Sequence, residues 1–356
     1  MVIDLGCGPL ARVVGWLTQR SYVRFNAASF DQNGLDLPIL ATRGTAAQDG
    51  FRPATPIAFG GNTVNDTTRV GYRFQVGIWL DSCQERAIEV RGYDAGSWNT
   101  NFLANTTTIG ATEVLARPVF ASNTATQDRV LIVASNRSVT GGFTSSVSSQ
   151  AYGGDILLRR RLGQNNNVRW DLLMGYQGNR ISDNLSIYSQ SNDGQSNDEL
   201  RDSFVTRNQF DGMAIGLGRF SRWCNWSLDG RFKLGMGNLR RETTISGSET
   251  INNAFVRPAG LLARATNSDT FIDDTFVVSP ELSLDLGYAL TRDLDFTIGY
   301  NYLSLPKVAR AGDQISRDSG GVPITDVSSS SSGPSFNLQT QSYWLQSFNF
   351  GAQWRY

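Results

Sequence analysis

The sequence predicts an all-β chain: an antiparallel, up-and-down transmembrane β-barrel of ten strands, or twelve if one further hairpin joins the wall. Three observations predict it. Apolar and polar residues alternate with a period of two, the mark of strands whose side chains point to opposite faces. The alternating runs exceed the ~5–6 residues usual in soluble sheets and match the ~9–11 that a tilted strand needs to cross a bilayer. The links between them alternate long and short, as they do in outer-membrane barrels.

The predicted strands are Tyr22–Asp31, Arg69–Leu80, Arg86–Tyr93, Gly153–Leu162, Val168–Tyr188, Asp202–Phe220, Asn225–Ile245, Thr275–Leu290, Leu294–Ser304 and Tyr343–Tyr356. In the second, Val70, Tyr72, Phe74, Val76, Ile78 and Leu80 alternate with Gly71, Arg73, Gln75, Gly77 and Trp79. In the seventh, Trp226, Leu228, Phe232, Leu234 and Met236 alternate with Asp229, Arg231, Lys233 and Gly235. Short links centre on Ser82–Glu85, Gly163–Asn167, Ser221–Cys224 and Thr291–Asp293, and the long ones fall between. Within the longest, Arg129–Val139 and Phe143–Gln150 flank Gly141-Gly142, the hairpin that would raise the count to twelve. Closure of the sheet is expected because hydrocarbon offers no water to free N–H and C=O groups. A soluble β-sandwich would bury the same apolar faces against a second sheet; strand length and the terminal aromatic favour the membrane. Gly216-x-Gly218 and Gly235-x-Gly237 sit inside strands, where glycine marks bulges or close packing.

Composition narrows the function classes. Lys+Arg and Asp+Glu are 32 each, so the formal charge is zero, which argues against a nucleic-acid partner. The chain has no histidine, which removes Ser-His-Asp chemistry, histidine-containing zinc sites and the usual neutral-pH proton shuttle. No enzymatic activity, cofactor or metal is expected. Cys7, Cys83 and Cys224 are widely spaced and suggest neither a disulfide framework nor a metal knuckle. Charged residues are 18% of the chain, below the ~25% usual for soluble domains. Mean hydropathy is −0.27 and no run reaches the ~20 apolar residues of a membrane helix. Asp269, Asp273 and Asp274 read as a solvated acidic loop rather than a calcium site.

Several segments carry a family resemblance: Leu37-Pro38-Ile39-Leu40-Ala41-Thr42, Pro56-Ile57-Ala58-Phe59-Gly60-Gly61, Gly77-Ile78-Trp79-Leu80, Leu115-Ala116-Arg117-Pro118-Val119-Phe120, Arg310-Ala311-Gly312-Asp313-Gln314-Ile315, and the close Phe348-x-Phe350-Gly351 to Trp354-Arg355-Tyr356. In this order they resemble the planctomycete-type outer-membrane β-barrel porins over residues 22–356. The resemblance implies a barrel in the bacterial outer membrane, but no substrate or activity. Residues 1–21 lack a basic-then-apolar leader and read as a truncated or misassigned start outside the single barrel domain, 22–356.

The polar strand face supplies the candidate lumen lining: Arg73, Glu89, Arg91, Asp155, Arg159, Arg169, Asp171, Asp229, Arg231, Lys233, Glu281, Asp285 and Asp295. Their mixed signs predict either a weakly selective passive channel for small hydrophilic solutes or a lumen plugged by ion pairs, in an envelope protein working through its loops. Trp79, Trp170, Trp226, Tyr300, Trp354 and Tyr356 are the candidates for interfacial aromatic belts and the C-terminal assembly signal. The expected partners are outer-membrane lipids and the barrel-assembly machinery.

Overall fold

The computed structural model describes residues 21–81, 83–122, 125–165, 167–325 and 334–356. Residues 1–20 of the expected N-terminal segment and the serine run 328–332 lie outside them. In chain order the strands are β1 (Tyr22–Gln32), β2 (Leu35–Asp36), β3 (Ile39–Thr45), β4 (Ile57–Gly60), β5 (Thr63–Val64), β6 (Arg69–Trp79), β7 (Arg86–Asn105), β8 (Glu113–Ala121) and β9 (Thr126–Ala134). There follow β10 (Thr140–Asn165), β11 (Val168–Asn192), β12 (Asn197–Trp223), β13 (Trp226–Ile251), β14 (Phe255–Arg257), β15 (Asp269–Ala289), β16 (Leu294–Val308), β17 (Ile324–Thr325) and β18 (Gln341–Arg355).

The main sheet is antiparallel and eleven-stranded among the described residues, in the order β12-β11-β10-β7-β6-β1-β18-β16-β15-β13-β14, with β12 also paired to β13. Its strands fall into two lengths. β10, β11, β12 and β13 run for 26, 25, 27 and 26 residues, whereas β1 and β6 have 11 each and β16 and β18 have 15. The pairing is correspondingly lopsided. β6 meets β7 only from Tyr72/Asp94 to Trp79/Ala87, and β15 meets β16 only from Glu281/Leu303 to Ala289/Asp295. β12 and β13 stay paired from Asp198/Ile251 to Trp223/Trp226.

This overturns the expected up-and-down barrel of ten or twelve strands, because the ring does not close evenly. At the turn end the wall strands are paired on both sides, but beyond Asp94 and Glu281 six strands, β7, β10, β11, β12, β13 and β15, continue alone as a curved half-wall. The twelve-strand alternative fails for a separate reason. Phe143–Gln150 is the loop-end half of β10, while β9 belongs to another sheet, pairing with β8.

The long links fold into that second layer. β17, β8, β3 and β4 form a sheet with β9 on its side, and β2 pairs with β5. Leu37, Leu40, Leu115, Val119 and Val133 from the links pack against the wall's Phe143, Val147, Leu185, Phe204 and Ile245 in one buried cluster. Asp202 on β12 ties the layers, accepting from Arg117 on β8 (2.7 Å) and from the N–H groups of Leu262 and Ala263 (2.8 and 2.9 Å). Of the described cysteines, Cys83 is disulfide-bonded, and Cys224 is free and exposed. Asp273 and Asp274 lie on β15 rather than in a loop, paired to Arg241 and Asn238.

The two faces of the wall exchange character along its length. Near the turns the outer face is apolar: Ile78, Ile88, Leu158, Met174 and Ile215 lie side by side in register and are 41–48% exposed. The next row, Val90, Ile156, Tyr176, Met213 and Met236, is the last apolar one. Above it the outer face turns to Ser146, Ser182, Arg207, Gln209 and Arg240, while the inner face turns from charged to apolar. From Trp226 to Met236 on β13 this band has the span of a membrane-crossing strand, and an exposed apolar belt of that extent requires lipid. Arginine at Leu217, exposed opposite Phe232 in the middle of the band, is expected to cost about 2–4 kcal/mol, as at a bilayer midplane, whereas arginine at Gln209 on the same face above the band is expected to be near neutral; urea unfolding from lipid bilayers measures the difference.

Candidate functional site

The polar phase of the strands converges on the turn-end half of the interior. Glu89 on β7 is fully buried and accepts from Tyr22 Oη on β1 (2.6 Å), Arg159 on β10 (2.9 Å) and Arg231 on β13 (2.7 Å). Arg159 also donates Nε to Asp171 on β11 (2.7 Å), and Arg231 donates to its own strand's Asp229 (2.6 Å). A second square lies above the first. Arg91 pairs with Asp155 and with Glu281 (3.1 Å), and Lys233 pairs with Glu281 (2.9 Å) and Asp155. Arg24 on β1, which the sequence reading did not single out, pairs with Asp285 (2.8 Å).

Two of these contacts define the width of the interior. Arg231 and Lys233 leave β13 and meet carboxylates on β7 and β10, strands that are not its neighbours in the sheet. One pair of side chains therefore spans the space between opposite walls. Room for these long side chains comes from β12, whose inward positions are Gly212, Ala214, Gly216 and Gly218. A Cβ on Gly216 would stand 2.8 Å from Lys233 Cγ, which is the close packing expected of in-strand glycines.

Of the thirteen candidate lining residues, all but Arg73 and Arg169 are buried, and these two are partly so. Arg169 donates to Asp171 (3.0 Å) and stacks between Trp79 (4.9 Å) and Phe220 (5.2 Å); Asp295 pairs with Arg355 near the C-terminus. Among the aromatic candidates, Trp170, Trp226, Trp354 and Tyr356 are exposed on the outer face, and Tyr300 packs on Phe348 and donates to Gln346 (3.1 Å). Trp79 is the exception. It is 5% exposed and points inward, as its place in the polar phase of β6 requires, so it does not belong to an outer belt.

Above the ion pairs the interior is apolar. Phe30, Tyr93, Trp98, Phe210, Leu239 and Tyr343 form a buried cluster, and the wall–loop core lies beyond it. Arg310 enters this region with both partners fully buried, 2.5 Å from Asp183, and Tyr343 lies beneath its guanidinium. The sequence signal for Arg310 is the motif Arg310–Ile315, though nothing local in it points to Asp183. A wider cavity of about 310 Å³ opens at the turn end, lined by Arg24, Trp79, Arg159, Arg169, Arg222 and Arg355 among others.

The two-square arrangement makes Glu89 a hub. Glu89→Gln takes one carboxylate partner from each of two buried guanidinium groups and is expected to cost about 3–5 kcal/mol. Tyr22→Phe removes the hydrogen bonds to Glu89 and Gln75 at a cost of about 1–3 kcal/mol. Urea unfolding with an Arg231→Met double-mutant cycle measures the coupling.

No curated protein matches the chain. Among solved structures it is similar to the outer membrane protease OmpT from Escherichia coli, at 11% identity and TM-score 0.46, covering 95% of this chain and 96% of that one. It is similar also to a Pseudomonas aeruginosa FadL homologue, at 9% identity and TM-score 0.25 over 97% and 92% of the two chains. The Ralstonia pickettii toluene transporter TbuX matches at 9% identity and TM-score 0.24 over 98% and 94%. Residues 22–356 match the family described as "Putative beta barrel porin-7 (BBP7)". With its lipid-facing apolar band and paired antiparallel wall, the chain is a bacterial outer-membrane protein and belongs to the BBP7 family.

Proposed function

We propose that this protein is a sealed outer-membrane scaffold that works through its loop end and does not conduct solutes. The observation that carries the reading is the filled interior: ion pairs reach from wall to wall, and two apolar clusters lie above them. A passive channel, the first expectation from composition, needs water along its length, and side chains paired from wall to wall argue against it. Mixed charge then serves compensation and not selectivity. Buried pairs of this kind add little stability over apolar packing but fix which residues meet.

The ordered second layer supports the other half of the reading. The links contribute their own sheet and core, so the loop end presents a shaped surface and not a set of tethers. We assign the chain no catalytic step. Its assembly partner in this reading is the barrel-assembly machinery.

Planar-bilayer recording tests the proposal. Purified protein is expected to insert without stepwise current across salt concentrations, and insertion is verified by protease protection. Stepwise, salt-proportional conductance from the wild-type chain would overturn it.

A further inference from the structure

Arg73 differs from the other interior cations. Arg24, Arg91, Arg159, Arg169, Arg231 and Lys233 each have a carboxylate oxygen within 3.1 Å. Among the described residues Arg73 has none within the ion-pair distance of 4.0 Å, and its guanidinium rests over the Tyr93 ring at 5.4 Å. The tier thus holds one more cation than it pairs, inside a wall that faces lipid.

Two small cavities adjoin this side chain. One, of about 10 Å³, is shared with Arg91, Asp155, Glu281 and Asn179, so its charges balance. The other, of about 20 Å³, is lined by Arg24, Arg73, Arg91, Asp285, Asn301 and Asn349, an excess of positive charge. Asn349 is 1% exposed; its Oδ1 accepts from Ser347 (3.1 Å), while its Nδ2 has no acceptor among the described residues. An unmatched guanidinium and an unmatched amide N–H thus line one cavity, and a buried donor without an acceptor is costly. The volume exceeds the ~10–15 Å³ that one water-sized occupant needs, and it excludes tetrahedral oxyanions and carboxylic acids.

We infer that the cavity between Arg73 and Asn349 binds a single small anion, a halide such as chloride, which completes the charge balance of the interior. This goes beyond the sealed-scaffold reading and holds whether or not the wall conducts.

The test uses the whole chain, purified in detergent. In crystals grown from bromide, an anomalous peak is expected between the Arg73 guanidinium and Asn349 Nδ2. At constant ionic strength the melting temperature is expected to be higher in chloride than in gluconate, which is too large to enter, because binding to the folded state alone raises stability. Arg73→Gln should abolish both effects. Since that variant can fail to fold, Asn349→Asp provides the second arm: it places a permanent carboxylate beside Arg73 and should remove the chloride dependence while the fold persists. Equal melting in the two salts for the wild type, no bromide peak at the cavity, or an undiminished chloride effect in Asn349→Asp would each overturn the inference.

Discussion

Hydrocarbon cannot hydrogen-bond, and this one constraint organises the whole molecule. Wherever the outer face is apolar, each wall strand must satisfy its N–H and C=O groups on neighbours to both sides. The pairing observes this at the turn end, where even the short strands β1, β6, β16 and β18 are flanked on both sides. Once the outer face becomes polar above Tyr176 and Met213, water can solvate an edge, and the constraint lapses. There four strands stop and six continue. The uneven ring follows from where lipid ends.

The same boundary explains the exchange of character on the inner face. Within the lipid zone the interior holds largely buried charges, and nearly every one is matched at hydrogen-bond distance. Above it the half-wall has water on its outside and needs a core on its inside, as any soluble sheet does. The long links supply that core, and the free edges are covered by side chains. On the β7 side Trp98 donates to Thr67 O (2.5 Å) and Phe102 stacks on Phe59, while on the β15 side Phe271 stacks on Phe336 at 3.7 Å. One chain therefore contains a membrane-solvated half and a water-solvated half joined through continuous strands.

Charge compensation sets the limits on function. In the proposed reading the lining charges are spent on each other across the interior. One wide space opens at the turn end, where Arg169 is held between two aromatic rings. Family membership places the protein in the outer membrane, and the packing of its interior decides what it can do there.

Much of this was legible in the residues. Period-two alternation fixed the faces, so Glu89, Asp155, Arg231 and Lys233 were assigned inward, and Phe25, Ile215 and Phe350 fall on the apolar phase. The same alternation places Trp79 inward, and reading it as a belt residue ignored its phase. Other features were not legible. At Gly96 on β7, φ is +70°, and the β10 register slips between Gln150 and Tyr152, so the alternation changes phase mid-strand and the upper half of β7 does not read as a strand. Inversion of polarity above the lipid zone hid the extensions of β10 in the same way. Local sequence determines which face a side chain takes, because that depends only on the pleat. Which partner it meets across the interior, as Arg310 meets Asp183 or Arg231 meets Glu89, depends on how strands far apart in the chain are brought opposite one another, and only the tertiary structure decides that.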